Sequence, residues 1–159
     1  MKVNFFNYPN TYKQYASKIK PKLLKTLNNG SFILGKDLQK FEKNLAKFLH
    51  AKFAIGVADG TNALILCLRA AGIERGDEVI ISSHTYIATA SSIHDSGGVP
   101  VVIDCKKDFM MDETKIEKAI TKKTKFIMPT QLNGRVCAMD EIMKIAKKYN
   151  LKIIEDGAQ

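Results

Sequence analysis

From residue 53 onward the chain alternates short Val/Ile-rich runs with stretches of helical periodicity, and this alternation constrains the fold more than any other feature. The apolar runs are Phe53-Ala54-Ile55-Gly56-Val57, Glu78-Val79-Ile80-Ile81, Val99 to Ile103, Lys125 to Met128 and Leu151 to Ile154. Between them, residues 61–71, Tyr86 to His94, Asp112 to Ile120 and 139–149 carry apolar side chains at helical steps, with Gly72 closing the first and Asp112 a candidate N-cap for the third. No hairpin signal joins two strands directly. Strands separated by helices are read as parallel, so the expected fold is α/β, three layers of helix, mainly parallel sheet and helix.

Ahead of this region lies an N-terminal helical segment, residues 1–50. Lys20-Pro21 suggests a helix opening at Pro21, with Leu23, Leu24 and Leu27 as its apolar side and Asn28-Asn29-Gly30 as its end. From Lys36 to His50, Leu38, Phe41, Leu45, Phe48 and Leu49 form one stripe on a Lys-rich helix. Residues 1–53 hold 11 basic and 2 acidic side chains, an excess of +9 that equals the whole chain's formal charge. Nucleic-acid binding is one reading of that excess, but only three of the 25 basic residues are Arg, whose planar fork suits phosphates and base edges better than Lys does. Lys36, Lys40, Lys43 and Lys47 recur at helical spacing, which favours a solvated helix face and no nucleic-acid partner.

Composition places the chain among ordinary soluble proteins: 45% of its 159 residues are apolar and 26% charged, which excludes collagenous and disordered classes. Cys67, Cys105 and Cys137 are odd in number and widely spaced, so neither a disulfide framework nor a zinc site is supported. Met1, Lys2, Asn4, Asn7 and Asn10 leave no apolar core for a leader, and no run approaches a membrane span. A cytoplasmic protein with no membrane partner is expected.

In a parallel sheet, ligands gather at the carboxyl ends of the strands, which directs attention to the loops after residues 57, 82, 104, 129 and 155. Ala58-Asp59-Gly60-Thr61-Asn62 runs from the first apolar run into a helix. Its free N–H groups, its Gly and its Thr hydroxyl make a phosphate cup, or else a plain turn capped by Asp59 or Thr61. Neither a Walker loop nor G-x-G-x-x-G is present. In Ser82-Ser83-His84-Thr85-Tyr86, Tyr86 is either a stacking platform for a flat ligand or part of the core. His84 has no local carboxylate or nucleophile to make it a base, and it is read with His50 and His94 as non-catalytic. Glu155-Asp156-Gly157-Ala158-Gln159 follows the last apolar run. A carboxylate there needs a cation, a metal or hydrogen-bond donors, and a protonated heteroaromatic nitrogen would serve, as would a helix cap.

The order of these motifs resembles one family. Gly30-Ser31-Phe32-Ile33-Leu34-Gly35 with Phe41-Glu42, Gly60-Thr61-Asn62-Ala63-Leu64, Gly76-Asp77-Glu78-Val79-Ile80, Thr85-Tyr86-Ile87-Ala88-Thr89 and Val99 to Asp104 come first. Ala119 to Lys125, Met139-Asp140 and Glu155-Asp156-Gly157-Ala158-Gln159 complete the series. The series is similar to the N-terminal part of DegT/DnrJ-type sugar aminotransferases, which have the fold-type I architecture and use pyridoxal 5'-phosphate. The resemblance implies that residues 51–159 are the first part of a cofactor-binding large domain, with the small C-terminal domain absent. It implies that Gly60, Thr61 and Asn62 bind the cofactor phosphate and that Tyr86 stacks on the pyridine ring. Asp156 would pair with the ring nitrogen, and Gln159 would hydrogen-bond the phenolic oxygen. The implied activity moves an amino group from an amino acid, expected to be glutamate, to a nucleotide-linked keto sugar for surface polysaccharide or amino-sugar synthesis, in a homo-oligomer.

Four positions depart from the family pattern: Ala58-Asp59 where Ser-Asn or Ser-Ser is common before Gly60, Gly157 for Ala or Cys, and Gln131 where His is frequent. None of the 22 lysines lies where the family's Schiff-base lysine follows the Gln159 motif, so no catalytic residue is assigned. The chain is read as truncated and inactive by itself. The alternative reading is a non-catalytic fragment that binds cofactor or oligomerises. The family topology also sets the 53–57 run apart from the other strands, leaving unpaired edges.

Overall fold

The computed structural model describes residues 5–159; the first residues of the stretch read above for a leader, 1–4, lie outside it. The chain divides into two compact units, residues 1–56 and 57–159.

In the first unit, α1 (Tyr8–Asn28) begins well before Pro21. The start signal sits earlier: Asn7 Oδ1 accepts the Asn10 N–H at 3.2 Å, and Pro9 occupies the first turn, where its missing N–H leaves nothing unsatisfied. Pro21 therefore lies inside the helix, contrary to the expected opening there. Proline inside a helix removes one hydrogen bond to the carbonyl four residues back, and because α1 buries no residue, that carbonyl is left to water. The helix ends where Asn28-Asn29-Gly30 suggested, with Gly30 at φ +62°. The Lys-rich stripe forms α2 (Lys36–Phe48), in which only Ala46 is buried.

Residues 53–57 are not a strand. Among the described residues they have no ladder partner, and Phe53 and Ile55 are 70% and 78% exposed. A strand exists only through hydrogen bonds to a neighbour, so an apolar, β-branched run without one stays extended coil. It is anchored at Gly56, whose N–H donates to Glu42 Oε1 at 2.8 Å.

The second unit holds α3 (Gly60–Ala70), β1 (Glu78–Ser82), α4 (Ile87–Asp95), β2 (Val99–Ile103), α5 (Ile116–Ala119), β3 (Thr124–Met128), α6 (Met139–Tyr149) and β4 (Lys152–Ile153). The four strands form one parallel sheet in the order β2-β1-β3-β4. The long helix expected over 112–120 is instead a 3-10 turn at Glu113–Lys115 followed by the single turn α5. Alternation along the strands splits the core in two. Val79, Ile81, Phe126 and Met128 face Leu64 and Leu68 of α3 and Ile93 of α4. Ile80, Ile103 and Ile127 face Ile116 of α5 and Ile142 and Ala146 of α6. Helices thus cover both faces of the sheet, giving the expected three layers.

The strand order fixes where a ligand site can form. From β1 the chain crosses through α4 to β2 on one side, then returns through α5 past β1 to β3 and continues through α6 to β4. Right-handed crossovers running in opposite directions put their helices on opposite faces, which is why α4 lies on one face and α5 and α6 on the other. The reversal makes the crevice between the carboxyl ends of β1 and β3 a topological switch point.

Candidate functional site

That crevice is closed by hydroxyls. Thr85, in the loop after β1, and Thr130, just past β3, place their Oγ1 atoms 2.8 Å apart across it. Thr85 Oγ1 is also 2.7 Å from Thr89 Oγ1, one turn further along at the start of α4. Thr89 in turn donates to Asp156 Oδ2 at 2.7 Å. Asp156 is set by an extension of the sheet: its N–H donates to Pro129 O at 2.9 Å, and its carbonyl accepts the Gln131 N–H at 3.0 Å. The Asp156 side chain is buried, 6% exposed, and Thr89 is fully buried.

A buried carboxylate is stable only when charge or donors compensate it. Oδ2 receives the Thr89 hydroxyl, and Oδ1 accepts only the longer Ala158 N–H at 3.3 Å. Among the described residues, the Lys–carboxylate pairs involve Glu113, Asp104, Asp112, Glu141 and Glu117, and none reaches Asp156. The site is a carboxylate side chain at the end of a parallel sheet, with acceptor capacity left on Oδ1 and no paired cation among the described residues.

Around it, the other sequence-derived candidates take different positions. Tyr86 directly follows Thr85; it caps α4 through its backbone and exposes its ring, 70% accessible, so it is not part of the core. Gln159 Oε1 accepts the Asn133 N–H at 2.7 Å, tying the final residues to the turn after β3. Gln131 is committed elsewhere: its Nε2 donates to Glu155 Oε2 at 2.7 Å and its Oε1 accepts the Cys137 N–H at 2.8 Å. His84 packs its ring against Phe109, with centroids 5.1 Å apart, and bonds no carboxylate.

Gly60, Thr61 and Asn62 form the first turn of α3, preceded by Asp59 as the capping residue. Asp59 Oδ1 accepts the Asn62 N–H at 2.8 Å, and Asp59 Oδ2 accepts from Asn62 Nδ2 at the same distance. These bonds hold the Asp59 carboxyl below its ordinary range, the Asn62 backbone N–H contributing most. Gly60 is exposed, and a Cβ built there meets no atom within 4 Å, so the turn is open on that side. No hydrogen bond joins this turn to Asp156 among the described residues. Asp156 is visible in the sequence as a site residue, whereas its partners Thr89, Thr85 and Thr130 are not; the i, i+4 spacing of Thr85 and Thr89 is the one signal that points to them.

A parallel sheet with helices on both faces and a buried aspartate beyond its last strand is the architecture that the resemblance to fold-type I transferases implied. The chain belongs to the DegT/DnrJ/EryC1/StrS aminotransferase family, whose model matches residues 13–159. It is 44% identical over 147 residues to the dTDP-3-amino-3,6-dideoxy-alpha-D-galactopyranose transaminase of Aneurinibacillus thermoaerophilus, covering 92% of this chain and 40% of that protein. The crystal structure of S. venezuelae DesV superposes with a TM-score of 0.96 at 35% identity, over 99% of this chain and 43% of that one. That of NtdA from Bacillus subtilis with bound cofactor PMP gives 0.92 at 39% identity, over 98% and 36%. The chain thus spans about two fifths of the length of the proteins it matches.

Proposed function

We propose that these residues form the cofactor-binding part of a pyridoxal-phosphate-dependent aminotransferase that moves an amino group from an amino acid, glutamate by resemblance, to a nucleotide-linked keto sugar. The observation that carries this reading is Asp156, a buried carboxylate with no cation among the described residues, placed beyond the carboxyl end of the sheet. A protonated pyridine nitrogen is a cation of the right kind for it, so the residues fit the group at its ring end. Tyr86 offers the ring an exposed aromatic face, and Gln159 keeps its Nε2 for a phenolic oxygen, since the Asn133 bond uses only Oε1. Gly60, Thr61 and Asn62 are assigned to the phosphate. Bound in this way, pyridoxal phosphate supplies an electron sink for carbanion chemistry. The chain's own work is to hold the ring nitrogen in its charged form through Asp156 and to fix the ring's orientation.

Relatives named for dTDP-3-amino-3,6-dideoxy-alpha-D-galactopyranose, GDP-perosamine and UDP-2-acetamido-2-deoxy-3-oxo-D-glucuronate support a nucleotide-linked sugar as the substrate class. A cytoplasmic setting and a homo-oligomer belong to the same proposal, and no helix among the described residues is long and apolar enough to cross a membrane.

Calorimetric titration of the 159-residue chain with pyridoxamine 5'-phosphate tests the reading without requiring a lysine. Saturable binding that Asp156→Ala abolishes supports it. Equal binding by wild type and Asp156→Ala, or no binding by either, overturns it. A lysine supplied elsewhere is required for turnover, so no transamination is expected from these 159 residues alone.

A further inference from the structure

The hydroxyls beside Asp156 form a connected series. Thr130, Thr85 and Thr89 come from the ends of β3 and β1 and from the first turns of α4, and their Oγ1 atoms are linked at 2.8 and 2.7 Å. Each hydroxyl carries one proton. A carboxylate only accepts, so the 2.7 Å contact to Asp156 Oδ2 takes the Thr89 proton. Thr89 must then accept from Thr85, and Thr85 from Thr130. The anion at one end sets the direction of every bond, and hydrogen bonds aligned head to tail polarise one another in a site of low dielectric.

We propose that Thr89, backed by Thr85 and Thr130, is the positioning residue of Asp156: it stops rotation of the carboxylate and keeps Oδ2 occupied, so that Oδ1 is the oxygen presented to a ring nitrogen. The functional half of this inference rests on the cofactor reading above, whereas the hydrogen-bond direction does not. Burial supports both halves, because Thr89 and Asp156 exclude the water that would otherwise replace the hydroxyl. The Thr85–Thr130 bond also joins the segments after β1 and β3 across the switch point, so the site's anion and the sheet's crevice share one support.

The test uses the full 159-residue chain with Thr89→Val, which keeps the shape and removes the hydroxyl, and Thr89→Ser, which restores it. Thr89→Val is expected to weaken pyridoxamine 5'-phosphate about tenfold or more, the scale of a lost hydrogen bond to a charged group, with Thr89→Ser recovering most of it. Circular dichroism establishes that each variant folds. A second readout needs no ligand: in proton NMR the Thr89 hydroxyl is expected as a solvent-protected resonance that moves upfield in Thr85→Val, when its own donor is removed. Equal affinities for Thr89→Val and wild type, or a Thr89 hydroxyl resonance unmoved by Thr85→Val, overturn the proposal. If the wild type binds no pyridoxamine 5'-phosphate, the cofactor reading falls, and the hydroxyl resonance still decides the positioning chain.

Discussion

At the residue scale, Asp59 sits where two demands meet. As the cap of α3 it satisfies the Asn62 N–H and steadies the helix, a role that favours negative charge at a helix N-terminus. As a neighbour of Gly60 and Thr61 it places an anion where a phosphate dianion is proposed to bind, and like charges at short range oppose each other. Asp59→Ser keeps a capping oxygen and removes the charge. It is expected to tighten pyridoxamine 5'-phosphate while leaving pyridoxamine, which lacks the phosphate, unchanged; equal effects on both ligands in parallel titrations would remove Asp59 from the phosphate site. The pH dependence has a definite sign. Because the folded-state pKa of Asp59 is depressed, its contribution to stability is present above the ordinary carboxylate pKa and is lost as pH falls through the lower folded value. The thermal midpoint of wild type is therefore expected to fall more steeply than that of Asp59→Asn below about pH 4. Parallel curves for the two proteins would contradict this.

At the scale of elements, what the sequence made legible depended on whether a segment's partners are in the chain. Helical and strand periodicity located β1, β2, β3 and α6 to within a residue or so, because each buries an alternating or striped face against elements present here. Residues 53–57 carry the same apolar, β-branched signal and fail to pair, since periodicity reports a preference for burial and not the presence of a neighbour. Pro21 has a related explanation: a proline in a helix that buries no residue forfeits one bond to water-accessible backbone and does not break the helix. In the candidate site, Asp156 was legible from its position after an apolar run, but the threonines were not. Thr130 and Thr89 are brought to Thr85 and Asp156 by sheet order, which lies beyond local pattern. The pairing difference has a measurable consequence. In hydrogen exchange, the amides of Ala54 and Ile55 are expected to exchange at rates near those of open coil, whereas those of Val79 to Ile81 approach the unit's global protection. Gly56 is expected to be slowed relative to its neighbours by Glu42, and Glu42→Ala is expected to release it. Strong protection throughout 53–57 would show a pairing that the monomeric chain does not contain.

For the whole molecule, stability is divided unequally between the two units. Both apolar clusters, from Leu64 through Ala146, lie in residues 57–159. In residues 5–56, α1 buries no residue and α2 buries only Ala46, while Phe32, Ile33, Leu34, Phe53 and Ile55 are exposed. Burial of apolar area is the main favourable term in folding, at roughly 25 cal/mol per Å2, so a unit that buries almost none of it opens at low free energy. The same unit holds 11 of the chain's 22 lysines in little more than a third of its length, which makes trypsin a direct probe. Opening there is expected to be fast compared with cleavage, so sites in the first 56 residues should be cut in proportion to their open population, long before those in the sheet. Brief digestion followed by mass spectrometry is expected to leave a resistant fragment that begins after Lys47 or Lys52 and retains β1 to β4. If the first cuts fall within residues 78–154 instead, the core described here is not the most stable part of the chain. If the exposed residues of the first unit are covered in a homo-oligomer, protection of Lys36 to Lys52 should rise with protein concentration while the sheet fragment stays unchanged, which separates an assembled surface from a permanently open one.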